Sequence, residues 1–360
     1  MPIAAPATAL AKYIVRRTRG IGIEGGKMKK IRAGVIGLGV GEQHVLSYQA
    51  IENCEVVAVC DSDPAKLKEV ADRRSVSGRF ADYRDIVHDP SIDVVSICSY
   101  DDNHAEQVVA AFREGKHVMV EKPVALTRKE GEAVLRAYQD SGRLLTSNLI
   151  LRQSPRFIRL REEIQAGIYG DVFAIEGDYI HQILHKITEG WRGKMDFYCV
   201  TYGGGIHLLD LMRWLLGDEI VEISSLGNKI LTAGTQYRFP DTIASLFRFS
   251  KDALGKTLTT FGPSRTKFHA LNVYGTKKTF INDMPNAKTF TSDDPKDEVA
   301  DTTPYPGIAK GDLLPDFVAA IREGREPNVS ARDVFRIMDV CFAAWDALNA
   351  GRTVKVSYQI

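Results

Sequence analysis

The feature that most constrains this chain is a regular alternation of short apolar runs with helical stretches between Ile31 and Leu149. Residues 31–36, 54–60, 93–98, 116–120 and 143–149 read as strands, and 42–50, 64–71, 82–88, 103–112 and 127–139 carry apolar residues at helical spacing. Strands separated by helices of this length pair in parallel through right-handed crossovers, since only that hand packs each helix back onto a twisted sheet. The pattern predicts an α/β fold that opens with a doubly wound parallel Rossmann sheet over 31–150.

The first strand runs into Gly37-Leu38-Gly39-Val40-Gly41, and a helix follows at once. A strand, a glycine turn and a helix N-terminus gather free backbone N–H groups around a bound pyrophosphate. The second strand ends in Asp61, 24 residues after Gly37. A carboxylate at about that spacing accepts hydrogen bonds from the adenosine ribose and repels a 2′-phosphate. Gly37, Gly39, Gly41 and Asp61 are therefore the expected dinucleotide-binding residues, with NAD favoured over NADP. The third glycine comes one place early, and Glu42 stands where the motif has its last glycine.

A second chemical signal closes the fourth strand, His117-Val118-Met119-Val120-Glu121-Lys122-Pro123. Charges seldom end an apolar strand unless they are paired or used, because burying them alone is costly. In an open α/β sheet the carboxyl ends of the strands form the ligand crevice. A lysine there can reach into it, and an X-Pro bond has a raised cis population that would fix its direction.

After Ile150 the pattern changes. A helix at 155–166 precedes strand candidates at 171–180, 219–227, 242–249, 256–261, 267–274 and 277–281, whose short connections predict a large, mostly antiparallel open sheet. Residues 286–307, rich in Asp, Thr and Pro, read as one long surface loop near the site, and helices at 313–323 and 331–348 close the chain. The expected organisation is a disordered extension over 1–30, a nucleotide-binding domain over 31–150, and a substrate-binding and oligomerisation domain over 151–360.

A net charge of +1 gives no sign of a nucleic-acid surface, and no apolar run reaches the length of a membrane span. The five cysteines are scattered, without a C-x-x-C pair, as expected of reduced thiols in a cytoplasmic protein. The basic first 30 residues contain Arg16-Arg17 but no apolar segment of signal-peptide length after it, and Met28 looks like a natural start.

The glycine turn with Asp61, the run Gly115 to Pro123, Ser96 to His104, and Gly203-Gly204-Gly205-Ile206-His207-Leu208-Leu209-Asp210 together resemble the glucose–fructose oxidoreductase, inositol dehydrogenase and MocA family. The likeness covers residues 31 to about 355, with Glu121-Lys122-Pro123 as its most specific mark. It implies NAD(P)-dependent oxidation or reduction of sugars, cyclitols and nucleotide sugars by a homodimer or homotetramer joined through the C-terminal sheet. Carried over by residue, Lys122 contacts the nicotinamide end and the reacting oxygen, and His207 is the acid/base. The chemistry agrees, since oxidising an alcohol needs a hydride acceptor, a proton acceptor and a positive group for the developing oxyanion. The resemblance also implies that Glu121, Lys122 and Pro123 bind the cofactor, and it places His104 near the nicotinamide.

On the substrate side the candidates are Arg152, Trp191, Arg192 and Asp210. Arginines suit carboxylates or phosphates, tryptophan offers a platform for a sugar ring, and Asp210, at i+3 from His207, is placed to orient the imidazole. Arg156, Lys186, Arg265 and Lys267 add to the basic character of this half. Many relatives carry an aspartate four residues before the histidine, where this chain has Gly203; Tyr202, Tyr198 or Asp196 can stand in, or His207 acts alone. His181 and His185 are four apart but lack a third ligand, so no metal is expected. Two other readings stay open on the same fold: a glycoside hydrolase that uses bound NAD transiently, and a non-catalytic sugar or dinucleotide sensor.

Overall fold

The computed structural model describes residues 30–263 and 268–360, together with the backbone of 23–24 and 27–28. Within the stretch expected to be disordered, Ile23–Glu24 pairs antiparallel with Lys27–Met28. The rest of 1–29 lies outside the described residues, as do Arg265 and Lys267.

Six strands, β1 (Ile31–Ile36), β2 (Cys54–Cys60), β3 (Gly78–Phe80), β4 (Val94–Ile97), β5 (His117–Val120) and β6 (Leu145–Ser147), form a sheet in the order β3-β2-β1-β4-β5-β6. All five pairings are parallel. The side chains of β1, β4, β5 and β6 are buried almost without interruption because helices cover both faces. The helices are α1 (Gly41–Ala50), α2 (Pro64–Arg73), α3 (Tyr83–His88), α4 (His104–Arg113) and α5 (Arg128–Ser141). Local chemistry sets their ends: Asp63 caps α2 with Pro64 in the first turn, and α5 runs from a Thr127/Glu130 capping box to a left-handed Gly142. The edge strand β3 was not expected; three residues are too short to carry a periodic signal. Strand order reverses between β1 and β4, so the crevice at their carboxyl ends is the site of this half.

The second half contains α6 (Pro155–Gln165), β7 (Val172–Ile180), α7 (Ile206–Leu216), β8 (Ile220–Asn228), β9 (Thr242–Phe249), β10 (Leu254–Thr260), β11 (Phe268–Gly275), β12 (Thr279–Ile281), β13 (Ala287–Phe290), β14 (Val299–Asp301), α8 (Leu314–Glu323), α9 (Ala331–Ala350) and β15 (Val354–Lys355). Nine strands pair in the order β14-β13-β12-β11-β7-β10-β9-β8-β15, antiparallel except for β7 with β10. Strand β9 shows the two-faced character: Ile243, Ser245, Phe247 and Phe249 are buried while Ala244, Leu246 and Arg248 are exposed. Helices α7 and α9 cover the inner face, and α9 also packs against α5 and β6, tying the two sheets together.

The stretch 286–307, expected to be one loop, contains β13 and β14. They are short strands of four and three residues, set by pairing rather than by their own apolar content: β13 pairs with β12, and the edge strand β14 pairs with β13. The chain after β14 then crosses to the first sheet, where the Ser47 hydroxyl donates to the Gly311 carbonyl at 2.8 Å and the Asn148 amide to the Lys310 carbonyl at 3.2 Å.

Candidate active site

The glycine turn is dictated by crowding. Gly37 has φ +82°, and a Cβ there would sit 2.5 Å from the Cys98 carbonyl oxygen. Only glycine lets β1 turn this tightly beside β4. Gly39 faces open space, whereas a Cβ on Gly41 would stand 2.9 Å from Val35 Cγ1, where α1 packs on its strand. No side chain caps α1, which leaves its first-turn N–H groups for an anion. Asp61 braces the turn, accepting from Leu38 N at 2.7 Å and Asp63 N at 2.9 Å. Glu42, in the place of the expected last glycine, pairs with Arg73 at 2.8 Å and Arg74 at 2.6 Å and so turns toward α2.

At the end of β5, the buried Glu121 accepts from Asn148 Nδ2 at 2.7 Å and stands 3.7 Å from His44 Nε2. Burial alone would raise its pKa; His44, Lys310 and Lys122 outweigh burial and hold the carboxyl well below the usual range. The Lys122–Pro123 peptide is cis. Lys122 Nζ donates to the Gly203 carbonyl at 2.6 Å, reaching from the first half into the second. Its pKa is pushed down to about 8, chiefly by burial, with Arg192 and Lys310 adding repulsion and Asp101 and Glu121 opposing it.

The second half answers with a helix start pressed onto its sheet. Thr201–Gly205 is a π-turn that runs directly into α7, a local widening often found at functional sites. The half-buried ring of His207 stacks on Tyr179, with centroids 6.2 Å apart and planes at 19°. From the segment before this turn, Trp191 stacks on Tyr100 at 4.4 Å, and the Arg192 guanidinium lies 4.1 Å over Trp191. Arg192 Nε also stands 4.0 Å from the carboxylate of Asp101, a buried group whose pKa burial pushes up.

A cleft of about 770 Å³ opens between the glycine turn, the chain after β4 and β5, and the Trp191–Arg192 segment. Of the residues expected at the site, Gly37, Gly39, Asp61, Glu121, Lys122, Trp191 and Arg192 line it, whereas Gly41, Pro123 and His207 are not among its lining residues. A second groove of about 550 Å³ lies between α4 and α5, beside Gly115 and away from all of them. Among the described residues no group of three or more His, Cys, Asp or Glu is placed to hold a metal ion.

Residues 31–149 match a family described as oxidoreductases with an NAD-binding Rossmann fold, and residues 157–281 match the GFO/IDH/MocA C-terminal domain. The chain belongs to the Gfo/Idh/MocA oxidoreductase family. It is 24% identical over 347 residues to myo-inositol 2-dehydrogenase of Thermotoga maritima, an alignment covering 91% of this chain and 98% of that protein. Levoglucosan dehydrogenase of Pseudarthrobacter phenanthrenivorans is 28% identical over 204 residues, 53% of this chain and 52% of the relative. A levoglucosan dehydrogenase solved with NADH shares the fold at a TM-score of 0.82 and 22% identity, covering 92% of this chain and all (100%) of that one. This Gfo/Idh/MocA protein is thus an NAD-binding oxidoreductase, and the open space at Gly39 beside the uncapped α1 fits the dinucleotide.

Three expected site residues of this family member are placed elsewhere. Arg152 and Asp210, expected at the substrate, form a buried pair (Nε–Oδ2 2.8 Å, Nη2–Oδ1 2.5 Å). Asp333 at 3.1 Å and Arg213 at 3.8 Å extend it. The side chain at i+3 from His207 points into the packing between α6, α7 and α9, so Asp210 neutralises arginine there. His104 is buried behind the cleft, with Nδ1 2.7 Å from the Pro123 carbonyl oxygen and Nε2 3.2 Å from that of Ser99. It holds the loop that carries Lys122. Arg156 likewise clamps loop carbonyls, donating to those of Thr303, Asp283 and Pro285, each at 2.9 Å.

Tyr100 and Asp101, inside the Ser96–His104 stretch that carries the resemblance but given no role of their own, line the cleft, as does Lys310, which the sequence did not mark. The first two follow β4, so the rule that ligands bind at strand carboxyl ends could have found them. Lys310 arrives on the crossing segment after β14 and leaves no local signal.

Proposed function

We propose that this chain is an NAD-dependent dehydrogenase that moves a hydride between nicotinamide and a secondary hydroxyl or carbonyl of a sugar, cyclitol or nucleotide sugar. Residues 31–150 hold the cofactor in this reading, and 151–360 supply the substrate face. Bound NAD supplies the hydride acceptor. The chain's own residues do the rest: the α1 N-terminus receives the pyrophosphate, Asp61 the ribose hydroxyls, and the Trp191–Tyr100 stack a flat apolar wall. Lys122, as the ammonium, stabilises charge growing on the substrate oxygen, and His207 takes the hydroxyl proton.

The observation that carries this reading is the reach of Lys122 from the end of β5 to Gly203, on the helical run that bears His207. A positive group and a proton acceptor near the reacting carbon are what this reading asks of Lys122 and His207. The likeness to inositol and levoglucosan dehydrogenases supports a polyhydroxylated, ring-shaped substrate.

The outer face of the nine-stranded sheet, with Leu226 and Leu246 exposed, supports a homo-oligomer joined there, a dimer or tetramer. The five free thiols fit a reducing compartment such as the cytoplasm. The deciding experiment is reduced-nicotinamide absorbance on mixing the protein with NAD and a panel of cyclitols, sugars, uronic acids and nucleotide sugars. Net NADH with one class supports the dehydrogenase. Glycoside cleavage without net NADH supports the internal-redox hydrolase, and binding without either reaction supports the sensor.

A further inference from the structure

The roles assigned above leave Tyr198 unused. Its ring is buried at 1% exposure and packs against Tyr237 and Phe261, with the Arg192 guanidinium 5.8 Å from its centroid. The phenol oxygen comes up against Gly203: a Cβ built on that glycine would lie 1.9 Å from it and 2.7 Å from the ring carbon Cζ. The hydroxyl therefore occupies the space where a side chain of residue 203 would begin.

That space adjoins both groups given the chemistry. The Gly203 carbonyl holds Lys122 Nζ at 2.6 Å. Residue 203 also precedes His207 by four, which puts the two on one side of the helical run. The nearby alternatives point elsewhere: Tyr202 packs its ring against Phe197 and Phe342, and Asp196 is exposed beside Arg238.

We propose that the Tyr198 hydroxyl is a catalytic group of this site, a neutral hydrogen-bond donor that meets the reacting oxygen beside Lys122 and His207. The proposal rests on the dehydrogenase reading. Burial pushes the phenol well above its ordinary pKa, so it keeps its proton and cannot act as the base. In alcohol oxidation the C–H bond breaks with its electron pair going to the nicotinamide, the O–H proton passes to His207, and the carbonyl forms. Throughout, Tyr198 donates to the oxygen and stays intact. Its ring fills the core and its oxygen serves the site, which accounts for the absent side chain at 203.

The test compares wild type with Tyr198→Phe, which removes one oxygen and keeps the ring. Myo-inositol and levoglucosan serve as probes, with NAD for turnover and with NADH for binding by nucleotide fluorescence. The expected result is kcat lower by roughly 10²-fold, the loss typical of removing one such donor, with NADH affinity and melting temperature unchanged. Gly203→Ala, which drives a methyl into the hydroxyl's place, is expected to reproduce the loss with Tyr198 present. Tyr198→Phe turnover within twofold of wild type overturns the proposal and leaves the dehydrogenase standing. A wild type that binds a probe without turning it over, with binding lost in Tyr198→Phe, overturns the dehydrogenase reading and keeps Tyr198 as a substrate contact. A wild type that neither binds nor turns over either probe overturns the proposal.

Discussion

Replacing Asp210 by Asn separates a structural role from a substrate role at a residue that the sequence assigns to the substrate. In the structure Asp210 neutralises Arg152, whose side chain is 4% exposed, through two hydrogen bonds of 2.5 and 2.8 Å. Removing one partner of a buried ion pair costs about 3–5 kcal/mol, because the other charge is left desolvated. Arg152 retains Asp333 at 3.1 Å, and Arg213 retains Glu219 at 2.7 Å, so the lower end, about 3 kcal/mol, applies. At roughly 2 °C per kcal/mol for a chain of this size, Asp210→Asn should lower Tm by about 6 °C. Differential scanning calorimetry with and without saturating NADH measures the shift, and steady-state kinetics on the surviving fraction measures KM. The expected result is a lower Tm with KM within a factor of about two of wild type, since the carboxylate does not reach the cleft. An unchanged Tm together with a tenfold rise in KM would refute the buried-network account and return Asp210 to the substrate.

Three further outcomes follow from the same geometry. Lys122→Met should retain NADH binding by fluorescence and lose roughly 10²–10³-fold in kcat, since it removes the positive group at the oxygen; near-normal turnover would take the lysine out of the mechanism. Lys122 acts as a cation with a pKa of about 8 in the folded protein, so the alkaline limb of alcohol oxidation should fall as pH rises through that value; an alkaline limb flat to pH 10 would contradict the assignment. Asp61→Ala should weaken NAD relative to NADP in competition binding by removing the ribose acceptor and its repulsion of a 2′-phosphate, and an unchanged ratio would sink that role.

Much of the nucleotide half was legible because its determinants are local. Ile31–Ile36, the glycines and Asp61 lie within one strand–turn–helix–strand unit, where spacing along the chain fixes spacing in space. Lys122 was legible for the same reason, since a charge ending an apolar strand needs a use. The second half read less well. Strands β13 and β14 exist through their partners, and a carboxylate at i+3 from a histidine looked like its orienter when the helix buries it against arginine.

The sequence by itself determined the fold class, the cofactor crevice and the lysine that enters it, because periodicity, turn chemistry and strand-end position act over a few residues. Only the tertiary structure decided which side chains meet there. It brought Lys122 to Gly203 across 81 positions, laid Trp191 on Tyr100 and Lys310 at the rim, and placed the Tyr198 hydroxyl where residue 203 has no side chain. Those meetings depend on how two sheets dock through α9 and the segment crossing from β14, and docking is set by the summed packing of many residues, which no local pattern encodes.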